Sequence, residues 1–260
     1  MDVTLSSVDP SSLEPSDDTV LWRYLDFPKF LDLLSSAALK MPRATSMEDA
    51  YEGVAGDAAT RADLDQWREE GQPPYLRNAS LSRQAFETQF HRERTYVSCW
   101  NTFETENAGL WRIYGDDRGL AIKTTWGDLR QSLGSADCVS TIFYGRVQYR
   151  NFSTDATQSE TYTDQFFVKR NEFLHENEFR LVAHDRSREH NYKAPSTAGL
   201  PRYASIACDT NALINELIIS PRLGSWVTDG VEAVSRKFGG SWTVRQSNLY
   251  VPPAIHSSAF

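Results

Sequence analysis

The chain has 260 residues, of which 40% are hydrophobic and 24% charged, enough to bury the core of one large domain. Its formal net charge of −8 repels nucleic acid and anionic membrane at long range, and Arg83 to Arg94, with Arg83, His91, Arg92 and Arg94, is the one modest basic patch. Three widely spaced cysteines, Cys99, Cys138 and Cys208, with no Cys-x-x-Cys pair, argue against a disulfide framework or structural zinc and for a reduced, cytoplasmic setting.

The acidic start Met1-Asp-Val-Thr-Leu-Ser-Ser lacks the basic and apolar regions of a signal peptide, and no apolar run approaches membrane-spanning length. Residues 1–18 are rich in Ser, Asp and Pro and read as a flexible tail. Order is expected from 19 to 250 as a single domain, with 251–260 as a C-terminal tail. Val20 to Leu25 reads as a strand interrupted by Arg23. Asp26 caps a helix with Pro28 in its first turn, and Phe27, Phe30, Leu31 and Leu34 recur on one face. Leu39 to Pro42 is a brief strand, and Ser46 to Gly53, carrying Glu48, Asp49 and Glu52, reads as a capped solvent turn.

Residues 58–94 are charged and broken by Gly71, Pro73 and Pro74. They predict two exposed helices, Thr60 to Glu70 and Ser82 to Glu93, as an insertion or lid. Thr95 to Trp100 is a strand, and Asn101-Thr102 is expected to cap a helix from Phe103 to Tyr114 that Gly115 ends. Gly119 to Thr125 is a third strand with a helix after it, and Val139 to Tyr149 another, bent at Gly145. Further on, Ala204 to Cys208, Glu216 to Ser220 and Trp242 to Gln246 read as strands, with Asp209 capping a short helix and Val231 to Phe238 forming a longer one. His184 to Pro201 is a polar loop. Short strands with few helices between them predict an α+β fold, with mixed or antiparallel sheets and peripheral helices. No phosphate loop or Gly-x-Gly-x-x-Gly occurs.

The chemistry concentrates between Phe166 and Val182. Phe166, Arg170, Phe173 and Leu174 repeat at helical spacing. Phe179, Leu181 and Ala183 then alternate with Glu178, Arg180 and Val182 as a strand does. Glu176 and Glu178, two apart, face the same side of an extended chain. Like charges that close are solvated, paired or used, with Lys169, Arg170 and Arg180 as local partners. One reading is an inert, solvated strand end; the other is a functional carboxylate pair. His175 at a helix end is a dipole contact or a base, and Cys99 is a buried thiol or a nucleophile.

Several segments resemble the domain-of-unknown-function family 2971 over nearly the whole chain after the tail. They are Leu21-Trp-Arg-Tyr24, Glu48-Asp-Ala-Tyr-Glu-Gly53, Val97-Ser-Cys-Trp100, Glu106 through Leu110-Trp-Arg-Ile-Tyr114, Ala121-Ile-Lys-Thr124, Lys169-Arg170 with Glu176-x-Glu178-x-Arg180, and Ile218-Ile-Ser-Pro221. That resemblance implies a bacterial or archaeal cytoplasmic protein, in a phage-defence or toxin context, and names no reaction.

The order of Arg23 on a first strand, Ser98-Cys-Trp100 on a middle one and Glu176-x-Glu178 opening a later one also resembles mono-ADP-ribosyltransferases of the arginine-serine-glutamate type. Trp100 departs from it by replacing a small residue. This second resemblance implies an ADP-ribosyltransferase-like fold with NAD as substrate and no structural metal. Glu178 would stabilise the sugar cation and Glu176 would orient or deprotonate the acceptor. Arg23 would bind phosphates and Ser98 would hold the strand geometry or the ribose, while Trp100, Trp111 or Tyr114 would stack on a planar ring. Tyr24 and Arg180 complete the implied cofactor-binding set, with Glu52, Glu106, Lys169 and Arg170 as further candidates.

A protein side chain, a nucleic-acid base and a small molecule all stay open as acceptor, no membrane partner is expected, and oligomeric state is not legible. Two other classes stay open. One is a metal-dependent phosphodiesterase using Asp49, Glu52, Glu106 and Glu176; the other is a non-catalytic sensing or interaction domain.

Overall fold

A computed structural model describes residues 2–8, 15–115, 118–157, 159, 161–185 and 200–252. In chain order these form β1 (Thr4–Ser7), β2 (Val20–Leu25), α1 (Phe27–Ser36), β3 (Ala38–Pro42), α2 (Asp57–Glu69), α3 (Pro74–Arg92), β4 (Thr95–Asn101), α4 (Ala108–Tyr114), β5 (Leu120–Thr125), α5 (Trp126–Ser132), β6 (Leu133–Ala136), β7 (Thr141–Arg146), β8 (Gln148–Arg150), β9 (Val168–Arg170), β10 (Glu178–His184), β11 (Tyr203–Cys208), α6 (Thr210–Leu213), β12 (Glu216–Ile219), α7 (Trp226–Lys237) and β13 (Thr243–Gln246). Parallel and antiparallel pairings both occur, so the fold is α+β with mixed sheets, as the sequence predicts. No described helix is long and apolar enough to cross a membrane.

The chain divides into two compact units, each assembled from three separate stretches. The first holds residues 1–14, 40–99 and 135–206. In it β10 lies between β7 and β4, and β1 pairs in parallel with β7. Thr4 to Ser7 therefore belongs to the sheet, although its composition reads as a tail. All seven residues of β10 are buried. Both faces of this strand are therefore covered, so its polar residues Glu178 and Arg180 must find partners inside the protein. Ala44, Val97, Phe166, Phe167 and Val182 form the apolar core beside them.

In the second unit β2 and β12 both pair antiparallel with β5, and β13 joins β12 in parallel. Its core is Trp22, Tyr24, Leu110, Trp111, Ala121 and Ile218. Asp26 caps α1, its Oδ1 accepting from the Lys29 N–H at 2.8 Å. The apolar stripe of α1 is displaced from the expected one: Phe30, Leu33 and Leu34 are buried, whereas Phe27 and Leu31 are exposed. Helix α4 starts five residues later than predicted because Asn107, not Asn101-Thr102, caps it, with Oδ1 accepting from Gly109 and Leu110.

The helix predicted over 166–174 is a correction. The chain there forms a 3-10 turn (Asp164–Phe167), strand β9 and a second 3-10 segment (Asn171–Glu176). The reason is pairing: β9 takes Gln148 to Arg150 of β8 as a parallel partner, which draws Val168 to Arg170 out of any helix. The predicted strand over 139–149 likewise divides into β7 and β8 around Val147, whose N–H donates to the Glu178 carbonyl. Two cations of the Arg83 to Arg94 patch are already engaged. Arg94 is buried, with its guanidinium 3.7 Å from the Phe90 ring centroid, and Arg83 pairs with Glu87 at 2.8 Å. Most of the polar loop predicted over 184–201 lies outside the described residues.

Gly53 ends the turn that brings Glu52 inside. Its φ of +68° is left-handed, and a Cβ there would stand 2.3 Å from Phe166 Cε1. Gly53→Ala combines left-handed strain with a core clash, so it should lower unfolding free energy by roughly 2–4 kcal/mol. Urea denaturation checks this; an unchanged midpoint would contradict the placement of that turn.

Candidate functional site

Within the first unit, β10, β9, the 49–53 turn and the 3-10 segment Asn171–Glu176 bring five charged side chains together: Glu52, Lys169, Glu176, Glu178 and Arg180. Arg180 is fully buried, and all five of its N–H groups are used. Nε donates to Glu178 Oε2 at 2.6 Å, and Nη1 to Glu52 Oε2 and the Phe166 carbonyl, both at 2.7 Å. Nη2 donates to Glu52 Oε1 at 2.8 Å and Glu178 Oε1 at 3.2 Å. Glu52 thus accepts a bidentate fork, the strong geometry for a guanidinium and a carboxylate. Lys169 reaches the same place from β9. Its Nζ donates to Glu176 Oε2 and, at 2.7 Å, to Glu178 Oε1, with Glu52 Oε1 at 3.6 Å.

Glu176 and Glu178 therefore meet on one ammonium. Their convergence differs in origin from the expected two-residue step of an extended chain. Glu176 ends the 3-10 segment, Asn177 turns the chain with φ 42°, and Glu178 opens β10. Neither reading of a solvated strand end nor of a solvent turn survives: Glu52 is 2% exposed, and Glu176 and Glu178 3% each.

Around this centre, Asp49 receives Arg170 at 2.8 Å, and the Arg170 guanidinium lies 4.7 Å from the Tyr51 ring centroid and 5.2 Å from that of Phe173. Phe173 also covers Lys169, whose Nζ is 4.4 Å from the ring centroid. Tyr149 accepts the Glu178 N–H on its hydroxyl at 2.9 Å. Tyr51, Phe173 and Tyr149 are the site residues that sequence reasoning missed. Tyr149 carried a signal, since it alternates with its neighbours on β8; Tyr51 carried another, sitting between Asp49 and Glu52.

The two carboxyls are driven in opposite directions. Burial first, then the neighbouring Glu178 carboxylate, raises Glu176 from 4.5 to about 7 despite the pull of Lys169. Burial also works against Glu178, but Arg180, a hydrogen bond with Glu176 and Lys169 outweigh it and hold Glu178 well below the usual carboxylate range. The half-buried Cys99 thiol is pushed well up by desolvation and by the Glu178 carboxylate, which leaves it protonated and a poor nucleophile.

The remaining predicted residues lie on other elements. Ser98 is buried on β4 in the first unit. Arg23, Tyr24, Trp100, Glu106, Trp111 and Tyr114 belong to the second unit. There the Arg23 guanidinium lies 5.5 Å from the Trp100 ring centroid, and the Tyr24 hydroxyl accepts the Asn107 N–H at 2.9 Å. Glu106 accepts from Trp111 Nε1 at 3.2 Å, from Arg245 Nη1 at 3.1 Å and from the Ser247 hydroxyl. Trp100 and Trp111 are fully buried core residues, whereas Tyr114 is exposed.

The network sets the pH dependence of stability. Glu176 binds its proton more tightly folded than unfolded, so its contribution is complete below 4.5 and is lost as pH rises through about 7. Glu178 acts oppositely, its contribution being lost as pH falls below 4.5. Urea denaturation across pH 4 to 8 should therefore show stability falling on the alkaline side by on the order of 3 kcal/mol, and Glu176→Gln should remove that fall. Glu52→Gln, which weakens the fork on a buried guanidinium, should cost about 3 kcal/mol or more at every pH in that range. A Glu176→Gln profile parallel to wild type would contradict the assignment.

No family model, curated protein or solved structure matches the chain.

Proposed function

We propose that Glu176 and Glu178 are the working carboxylates of an enzyme that cleaves the nicotinamide–ribose bond of NAD and passes the ADP-ribosyl group to an acceptor or to water. The observation that carries this reading is the pair itself. Two carboxylates converge on one ammonium, with Glu178 held ionised and Glu176 brought to about 7. Pairs whose environments push their protonation apart are the pattern of acid–base division of labour.

In this reading the C1′–N bond breaks and its electron pair returns to the pyridine nitrogen, so nicotinamide leaves neutral. Positive charge develops on the ribose at C1′, and the ionised Glu178 stabilises it. The acceptor's lone pair then forms the new bond at C1′, and its proton goes to the ionised form of Glu176. Lys169 and Arg180 position the two carboxylates. Arg23, Tyr24, Ser98, Trp100, Trp111 and Tyr114 come to this proposal only through the family resemblance.

The pair is closed over by the 3-10 segment Asn171–Glu176, with Phe173 on Lys169 and Arg170 fastened to Asp49. Substrate entry thus requires that segment to lift, turning about Asn177, one of two non-glycine residues with positive φ among those described. That same closure favours a second reading, a non-catalytic protein in which the network fastens the 49–53 turn to β10. For the phosphodiesterase alternative, Asp49, Glu52 and Glu176 lie in the first unit, but Arg170, Arg180 and Lys169 are the cations at their oxygens, and Glu106 belongs to the second unit.

The test is NAD titration with free nicotinamide measured in the same samples. Wild type should release nicotinamide at a rate that rises with pH through about 7. Glu178→Gln should lower that rate by about 10²- to 10³-fold while NAD still binds. Glu176→Gln should lose the pH dependence. If wild type neither binds nor cleaves NAD, the fastening role stands instead.

A further inference from the structure

Strands β8 and β9 form a two-stranded parallel ribbon with Tyr149 opposite Lys169 and Arg150 opposite Arg170. Side chains alternate along a strand. Tyr149 and Lys169 therefore share the face that meets the buried carboxylates, as their bonds to Glu178 record. Arg150 and Val168 instead line a separate cavity of about 320 Å³, bounded by α2, α3 and the described residues of the loop that follows Phe152. That volume is within the range of small-molecule sites.

We infer that this cavity is a binding site for a neutral ribonucleoside. Its lining mixes donors and acceptors from separate segments. Carboxylates come from α2 (Asp63), α3 (Glu87) and the loop (Asp155), side-chain amides from Gln84 and Gln165, and an aromatic wall from Phe152 and Tyr162. A carboxylate accepts both hydroxyls of a vicinal diol, and an amide matches the paired donor and acceptor on the edge of a base. The aromatic rings offer apolar surface to a planar base. Tyr162 is held in place by a parallel stack on His91, with centroids 4.1 Å apart. Phe152 is likewise fixed against Tyr51, edge to face at 5.8 Å.

Charge selects against the phosphorylated forms. Arg150, the one guanidinium among the described lining residues, is already turned to Gln148 Oε1 at 2.7 Å and lies 3.9 Å from Asp155. Glu87 is likewise already paired with Arg83 at 2.8 Å, so an incoming phosphate meets carboxylates and their engaged cations rather than a guanidinium held ready for it. The site is accordingly distinct from one that would take NAD, and it stands whether or not the carboxylate pair is catalytic.

The experiment is titration calorimetry of the full chain with adenosine, with AMP, putrescine and sucrose run in parallel. Adenosine should bind, and AMP at least about tenfold more weakly, because its phosphate must be desolvated beside Asp155 with the Arg150 guanidinium already engaged. Glu87→Ala, which removes a charged acceptor, should weaken adenosine by about tenfold. Thr88→Phe, placed to fill the cavity, should abolish binding, and Glu232→Ala on α7 should change nothing. Thermal unfolding of each variant guards against misfolding. Absence of adenosine binding, binding unaltered by Thr88→Phe, or a preference for putrescine, sucrose or AMP would each overturn the inference.

Discussion

The buried guanidinium of Arg180 is the constraint around which the first unit is arranged. A fully enclosed charge with five N–H donors is tolerable only if every donor is met and the charge is balanced. Glu52, Glu178 and the Phe166 carbonyl do this from three separate stretches of chain. Removing one of those partners leaves a buried charge whose cost, several kcal/mol, rivals a large fraction of a domain's net stability. The 49–53 turn, the 3-10 turn ending at Phe167 and the start of β10 are thus tied to one another by a group that none of them can release alone.

Charge counting then fixes the chemistry. Glu52, Glu176 and Glu178 surround Lys169 and Arg180, three carboxylates against two cations in a place with little water. The carboxyl least engaged by the guanidinium is the one that holds a proton most readily. Glu176 bonds Lys169, and the five N–H groups of Arg180 go to Glu178, Glu52 and the Phe166 carbonyl, so that Glu178 bonds both cations. The same asymmetry that neutralises the cluster therefore creates a group titrating near neutrality, which is the property an acid–base role draws on.

How much of this was legible depended on sequence distance. β2, β4, β5 and the cap of α1 follow from alternation and from Asp26, because those signals are local. The pairing of Glu176 with Glu178 was also readable, being two residues apart, although the turn at Asn177 that produces it was not. The partner of Arg180 could not be read, since Glu52 lies 128 residues away and its surroundings in sequence are those of a polar surface turn. Helical spacing from Phe166 to Leu174 misled for a related reason: a three-residue strand forms there only because β8 is beside it. The cavity behind the ribbon gave no signal at all, because His91, Tyr162 and Arg150 come together only in the folded chain.

The most direct measurement is the carbon-13 chemical shift of the glutamate side-chain carboxyls followed against pH, with Glu176 assigned by the resonance missing from Glu176→Gln. The account predicts a carboxyl midpoint near 7 for Glu176, while Glu178 stays ionised to well below 4.5. A midpoint for Glu176 at or below 4.5 would mean that the cluster holds no proton at neutral pH, and it would remove the basis of both the stability profile and the acid–base role.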